Sequence, residues 1–506
     1  MTNVSCTPTR ILTARAHPVK LYPPLGQCAG LQDKQTRSRS GSSPKLTFCP
    51  NEVRAATVLT VEPEPEQEIS AISLPAYVRL VRRNANFRRL WIAQIVSEIG
   101  DWFYSLAIYS LLLQFTGQAR SVALALVLQV IPQTLFGPLS GIVNDRIRRK
   151  KVMIATDLAR VGIVFAMLFV RSRSQIWWVY PLLFLESVMW AFFEPARTAV
   201  IPNITTSEDL ILANTLSSTT WSLNLVAGSA LGGVALALLG YNASFVLNAL
   251  SFLCSAFFLS RMHFEEPHAA AFAKLRVLDL LDYSPLIEGL RYVRRDPRLL
   301  ATVLVKSGLA QMGVSWVLFT VMGQRVFTLH GRGIDPQRGG VLGMSMLMGA
   351  RGVGALFGPL AAARWAGHSE SRLRLGILVG FLSVALGYTM LGTAGSLAIA
   401  CFWVVIAHCG GSTVWVFSTT LLQLNTEDKF RGRVFSAELG LSMLTLAAGA
   451  YSSGWLVDRG IGPRTVAITI GLVMLLPAAL WSYAMRLWKT ASPEVEKKVA
   501  SSSQPL

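Results

Sequence analysis

Charge is scarce in this chain. Of its 506 residues, 15% are Asp, Glu, Lys or Arg and 52% are hydrophobic, where a soluble globular domain carries about a quarter charged. An ordinary soluble fold is thereby excluded. Cysteine is scarce as well: the six (Cys6, Cys28, Cys49, Cys254, Cys401 and Cys409) form no C-x-x-C pair and have no histidine at ligand spacing. Neither a disulfide framework nor a zinc site is expected, and no other metal or cofactor is implied. Enzymatic machinery is missing too. No nucleophile, base and orienting group fall together, and the glycine-rich "GARGVG" at 349–354 lies inside an apolar run, which excludes a phosphate-binding loop.

What the chain has in abundance is long apolar runs. Twelve of them stand at 91–115, 121–143, 152–170, 176–193, 216–239, 242–259, 301–327, 340–363, 373–391, 396–417, 434–457 and 464–487. Their length is the roughly 20 residues that a helix needs to cross a bilayer. They are too long and too continuously apolar for the period-two alternation of barrel strands. The expected fold class is therefore an all-α polytopic membrane protein with twelve transmembrane helices. A net charge of +19 raises nucleic acid as a partner, but the positions of the charges decide otherwise. Alternate connections, together with both flanks, hold 28 Lys and Arg, and the remaining connections hold 8. Such a bias orients a membrane protein with its rich side toward the cytoplasm or the equivalent compartment. That face is the basic side below, and the expected surroundings are the lipid bilayer, not nucleic acid.

The stretch "LFGPL" occurs at 135–139 and again at 356–360, an offset of 221. Chance would make that offset uninformative elsewhere, yet it carries the second to sixth runs onto the eighth to twelfth, and Gly228 and Gly233 onto Gly449 and Gly454. The first run alone departs, needing an offset about ten residues smaller to reach the seventh. The chain is read as two copies of a six-helix unit: a bundle over 86–260, a linker over 261–298 and a second bundle over 299–488, with a polar tail over 489–506. An even number of crossings gives both copies the same orientation, so a small molecule is expected to bind between them near mid-membrane and to be exposed to either side by rocking. Within the repeat, Pro138 and Pro359 each remove a backbone donor, and Gly137 with Gly141, and Gly358 in the second copy, offer small faces for a close neighbour.

"GIVNDRIRRKK" at 141–151 follows the first echo and resembles the Gly-x-x-x-Asp-Arg-x-Gly-Arg-Arg motif of the major facilitator superfamily, with Arg148 in place of the second glycine. "NFRRLWIAQIVSEIGDW", "EPARTAVIP", "LILANTLSS", "EGLRYVRRDPRL" and "FRGRVFS" are similar to its twelve-helix branch of drug, macrolide and siderophore exporters. The resemblance runs from about Asn86 to Trp488. It implies two six-helix bundles and a gate motif at Gly141, Asp145, Arg146 and Arg149, in which Asp145 meets the N-terminus of the eleventh helix when the basic side closes, a contact of about 0.3 to 1 kcal/mol. Topological anchoring is the other reading of the arginines. "GSALGG" (Gly228, Gly232 and Gly233) is similar to an exporter glycine pattern, but Ser229 stands where that pattern has proline. Close packing alone also explains these glycines.

Charges placed inside apolar runs cost about 2.5 to 3.5 kcal/mol at mid-depth, so they face a cavity or a partner. Glu98 and Asp101 lie three apart on one helix face. Neighbouring carboxylates resist ionising together, which suits one of them to carry a proton; structural pairing is the alternative. Glu186 is central in the fourth run, one of those that line the cavity in the family resembled. Arg351 either holds an anionic substrate or pairs with a carboxylate. His408 is either an interior hydrogen-bonding residue or a proton relay. Asp157 and Arg160, three apart, are read as an internal ion pair, and Lys306 and Glu438, near helix ends, as snorkelling.

Residues 1–85 form an extension. Its first 50 residues hold seven Lys or Arg, one acid (Asp33) and eleven Ser or Thr, without a long apolar run. That composition is not a secretory signal; it resembles an organelle transit peptide, with "VRAA" at 53–56 like a chloroplast processing site. A Pro-containing stretch with five glutamates from Glu52 to Glu68 is expected to be disordered. The inner envelope of a chloroplast is the expected location, the plasma membrane the alternative. The resulting expectation is a monomeric, proton-coupled exporter of a small organic molecule. A facilitator or importer is the alternative, as is a transporter-like scaffold or sensor.

Overall fold

The computed structural model describes residues 74–266 and 287–487, apart from 288–290, 295, 310, 332, 333 and 368 and the side chains of Leu74, Pro138, Asp145, Ser207, Glu208, Gln311, Met312, Asp428, Lys429, Arg431 and Ser436. The transit-peptide reading, the acidic segment, most of the linker and the polar tail lie outside the described residues. In chain order the helices are α1 (Leu74–Arg83), α2 (Ala85–Thr116), α3 (Ala119–Arg146), α4 (Arg149–Met167), α5 (Val179–Ile204), α6 (Ser207–Ser260), α7 (Pro297–Ser307), α8 (Gln311–Arg325), α9 (Pro336–Ala366), α10 (Glu370–Thr393), α11 (Leu397–Asn425), α12 (Asp428–Asp458) and α13 (Pro463–Val473), the last continuing to Leu487. Eight spans among the described residues are long and apolar enough to cross a membrane.

Local chemistry sets the ends. Asn84, Thr206, Asp335, Ser369 and Ser396 each accept the backbone N–H three residues on, satisfying donors that an apolar environment leaves exposed. All twelve apolar runs fall on helix. The fifth and sixth share α6, parted at Gly240, whose φ of 77° breaks the helix in a conformation that side-chain-bearing residues rarely adopt. The seventh run is divided between α7 and α8. The offset of 221 recurs in the elements: it carries Arg149, the start of α4, onto Glu370, the start of α10, and Ser207, the start of α6, onto Asp428, the start of α12. This is the all-α fold of two repeated halves.

Within the first half α2 packs on α6, and α3 and α4 on α5; in the second, α9 and α10 pack on α11, and α8 on α12. The halves meet chiefly through α6 with α9 and α3 with α12. Side chains from both halves build one apolar core toward the side opposite the basic one, including Leu106, Ile108 and Phe252 with Phe319, Met344 and Leu347. On the basic side the packing divides. Phe87, Met153 and Ala196 belong to a cluster made by the first half alone, while Ile377 and Phe417, and Val303 and Val434, belong to clusters made by the second. The halves are joined on one side and parted on the other.

The repeat glycines differ in what they do. A Cβ on Gly358 would lie 2.6 Å from the Cα of Cys409, and one on Gly228 2.8 Å from Cγ of Trp102, so these positions seat a neighbouring helix. Gly232 faces Trp102 and Phe103, and Gly233 faces Ser345. Gly137 and Gly141 correct the expectation: a Cβ on either meets nothing within 4 Å among the described residues. Pro359 sits inside α9, and the Pro138 side chain is outside the described residues.

Candidate functional site

A cavity of about 410 Å³ lies along α2 from Gln94 to Ser105 and along α5 from Glu186 to Arg197, on the basic side of the shared core. Glu98, Asp101 and Glu186, read from sequence as three separate candidates, all line it. Glu98 accepts from Gln94 Nε2 at 2.8 Å on one oxygen and from Asn224 Nδ2 at 2.7 Å on the other. The Gln94 amide also donates to the Ser217 carbonyl at 3.1 Å and accepts from Arg197 Nη1 at 3.0 Å. Arg197 in turn grips Glu194 with both Nε, at 2.9 Å, and Nη2. This ladder ties α2, α5 and α6 together. One turn deeper the pattern stops: Asp101 Oδ1 is buried with no hydrogen-bond partner among the described residues. Glu186 is 7% exposed.

The second half contributes a single wall residue, Trp316, among the described residues. Its ring stacks on Trp102 with centroids 5.3 Å apart and 14° between planes. Arg351 stacks on Trp316 with its guanidinium carbon 4.4 Å from the ring centroid, and its Nη1 is buried without a hydrogen-bond partner among the described residues. Of the two sequence readings of Arg351, pairing with a carboxylate is corrected: its partner among the described residues is the Trp316 ring, in a cation–π contact. Arg351 and His408 do not line the cavity. His408 Nε2 lies 3.3 Å from the Tyr388 hydroxyl and the ring meets the edge of Phe319, in the interior of the second half.

Asp157 and Arg160 form an ion pair with 0% and 1% side-chain exposure. Ser255 Oγ donates to the other Asp157 oxygen at 2.7 Å, and the guanidinium lies over Phe193 and Phe252, 4.5 and 4.2 Å from the centroids. Lys306 and Glu438 depart from the snorkelling expectation: they pair at 2.9 Å with 5% and 1% side-chain exposure, the ammonium over Trp415. Lys306 stands in the last turn of α7, but Glu438 lies about three turns inside α12, so the pair is enclosed by packed helices and does not reach out from two helix ends. At the gate motif, Arg149 donates to the Asn144 carbonyl at 3.3 Å and the Ala199 carbonyl at 2.8 Å, docking α4 onto α5. Arg146 stands in the last turn of α3, Gly141 faces open space as above, and the Asp145 side chain is outside the described residues.

Sequence reading missed the two tryptophans, Gln94, Asn224 and the Glu194–Arg197 pair. Two signals were available. Gln94 precedes Glu98 by four residues and Glu194 precedes Arg197 by three, both same-face spacings.

Membrane-length helices in two repeated halves, parted on one side around a polar cavity, define a membrane carrier. The chain belongs to the Major Facilitator Superfamily, whose family model matches residues 90–438; it is a transporter and not an enzyme. It is 28% identical over 410 residues to the MFS-type transporter YfiS of Bacillus subtilis (strain 168), covering 78% of this chain and 92% of that one. It is 25% identical over 380 residues to Macrolide efflux protein A of Streptococcus pyogenes, covering 74% and 89%. The fold matches the crystal structure of the nucleoside transporter NupG with a TM-score of 0.58 at 13% identity, over 78% of this chain and 98% of that one.

Proposed function

We propose that this transporter exports a small organic molecule in exchange for protons, by alternating access, as a monomer. The observation that carries the reading is the meeting of Glu98, Asp101 and Glu186 on one cavity that lies where a shared core gives way to parted halves. Carboxylates in such a position exchange a proton for a ligand as the cavity changes sides. Similarity to a macrolide efflux protein supports export. In the test, the chain is reconstituted in vesicles with its basic side outward, and uptake of solutes from a cell extract is followed by mass spectrometry. Accumulation driven by an imposed pH gradient is expected; equal rates with and without it reject proton coupling.

Ser229, standing where the exporter pattern has proline, favours a second reading as a facilitator. Its carbonyl accepts from Ser345 Oγ at 2.6 Å and ties α6 to α9. A facilitator equilibrates a solute without concentrating it, and the same vesicles separate the two. The location proposed is the inner envelope of a chloroplast, from the composition of residues 1–50. A fluorescent protein fused to residues 1–70 tests it, and diffuse cytosolic signal rejects it.

A further inference from the structure

We infer that the cavity takes an organic cation with an aromatic or otherwise apolar body, its positive centre held by Asp101 and Glu186 and its body against the Trp102–Trp316 stack. This deepens the export reading and rests on it for the identity of the site.

The charges around the cavity do not balance. Six charged residues line it: Glu98, Asp101, Glu186, Glu194, Arg160 and Arg197. Both cations already have a carboxylate partner, and Arg160 Nε is buried with no hydrogen-bond partner among the described residues. Arg197 is held by Glu194, and Arg160 by Asp157 on its own helix, with the faces of Phe193 and Phe252 over its guanidinium. Three carboxylates are left. Glu98 receives two amide N–H groups, which satisfy its oxygens without a direct ion pair. Asp101 Oδ1 is buried without a donor. Glu186 is 93% buried, lines the cavity, and receives no hydrogen bond from the described residues. A buried carboxylate left this way is costly unless something positive joins it.

The walls carry the second half of the argument. Trp102, Trp190, Trp221 and Trp316 all face the cavity, and indole rings are the strongest cation–π surfaces among side chains. Trp316 already holds the Arg351 guanidinium in that manner. The volume of about 410 Å³ is in the range of sites for drug-sized ligands, about 300 to 1,000 Å³. Because Arg351 does not line the cavity and both lining arginines are already paired with a carboxylate, an anion entering it meets an excess of three carboxylates among the described residues.

Two ions of near-equal shape and opposite charge decide the matter: tetraphenylphosphonium and tetraphenylborate. Binding of each to the purified full-length chain is measured by equilibrium dialysis in neutral detergent, with empty micelles subtracted. Saturable binding of the cation at least about tenfold tighter than that of the anion is expected. Glu186→Gln and Asp101→Asn, which keep shape, are each expected to weaken the cation by about tenfold while leaving the anion unchanged. Equal binding of the two ions, preference for the anion, binding of neither, or an unchanged cation affinity in the double variant overturns the inference. The comparison on the unmodified chain stands even where a variant fails to fold. No gradient is involved: a chain that binds the cation but concentrates nothing in vesicles fails the export reading alone, and one that pumps yet prefers the anion fails this inference alone.

Discussion

A carboxylate inside a membrane protein takes its role from what donates to it. Asp157 and Glu438 each have a buried cation within hydrogen-bond distance, Glu98 has two neutral amides, and Glu186 has no donor among the described residues. Removing one partner of a buried pair leaves the other charge stranded, at about 3 to 5 kcal/mol. Arg160→Ala is therefore expected to abolish a folded, monodisperse protein or lower its melting temperature sharply in thermal denaturation. Glu186→Gln is expected to do the reverse: melting unchanged or raised, transport lost. A melting temperature that falls in Glu186→Gln as far as in Arg160→Ala would show that Glu186 is structural. Glycines divide by the same logic. Gly358→Ala pushes a methyl group into the backbone at Cys409 and is expected to disrupt folding, whereas Gly137→Ala meets open space and is expected to leave yield and stability within about 0.5 kcal/mol of the unmodified chain.

At the scale of the element, α3 and α12 tie the halves by a cap. Asp458, the last residue of α12, accepts from the backbone N–H groups of Ala119 at 2.7 Å and Arg120 at 3.0 Å, where α3 begins. A carboxylate at those unsatisfied donors is favoured by hydrogen bonding and by the helix dipole. Its loss in Asp458→Ala costs about 1 kcal/mol, about a fivefold shift toward opening on the side opposite the basic one. Modification of a cysteine introduced at Ser110, which is buried on that side, by a membrane-impermeant reagent is the readout, and an unchanged rate counts against the cap. The gate motif proposes the mirror image at the other end of the same two helices, with Asp145 from the end of α3 meeting the start of α12. Asp145→Asn is expected to slow transport in vesicles without reducing membrane insertion, and unchanged kinetics would dismiss the gate.

For the whole molecule, the shared core and the ties around it hold one side shut. Gln324 donates to Ser110 Oγ at 3.0 Å, Gln337 to Gln114 Oε1 at 3.0 Å, and Arg325 to the Gly117 carbonyl at 2.8 Å, each crossing between halves. Alternating access requires these to break once per cycle. In a background without the six native cysteines, Gln114→Cys with Gln337→Cys is expected to cross-link under oxidant and stop transport, and reduction is expected to restore it. Full transport by the cross-linked protein would mean that the halves do not rock.

The amino-acid sequence alone determined the fold class and the repeat, and each for a physical reason that acts locally. Hydrocarbon thickness sets the length of an apolar run, unsatisfied backbone groups force that run into helix, and the offset of 221 between Gly137 and Gly358 is a property of the string itself. The carboxylates were legible one at a time because charge in an apolar run stands out. Tertiary structure alone decided which charges meet. Lys306 and Glu438, 132 residues apart, looked like two independent helix ends, Arg351 found an indole in place of a carboxylate, and Trp102 found Trp316 across the two halves. Helical period places a residue on a face, but which face turns to lipid, to a neighbour or to the cavity follows from how the helices pack around one another.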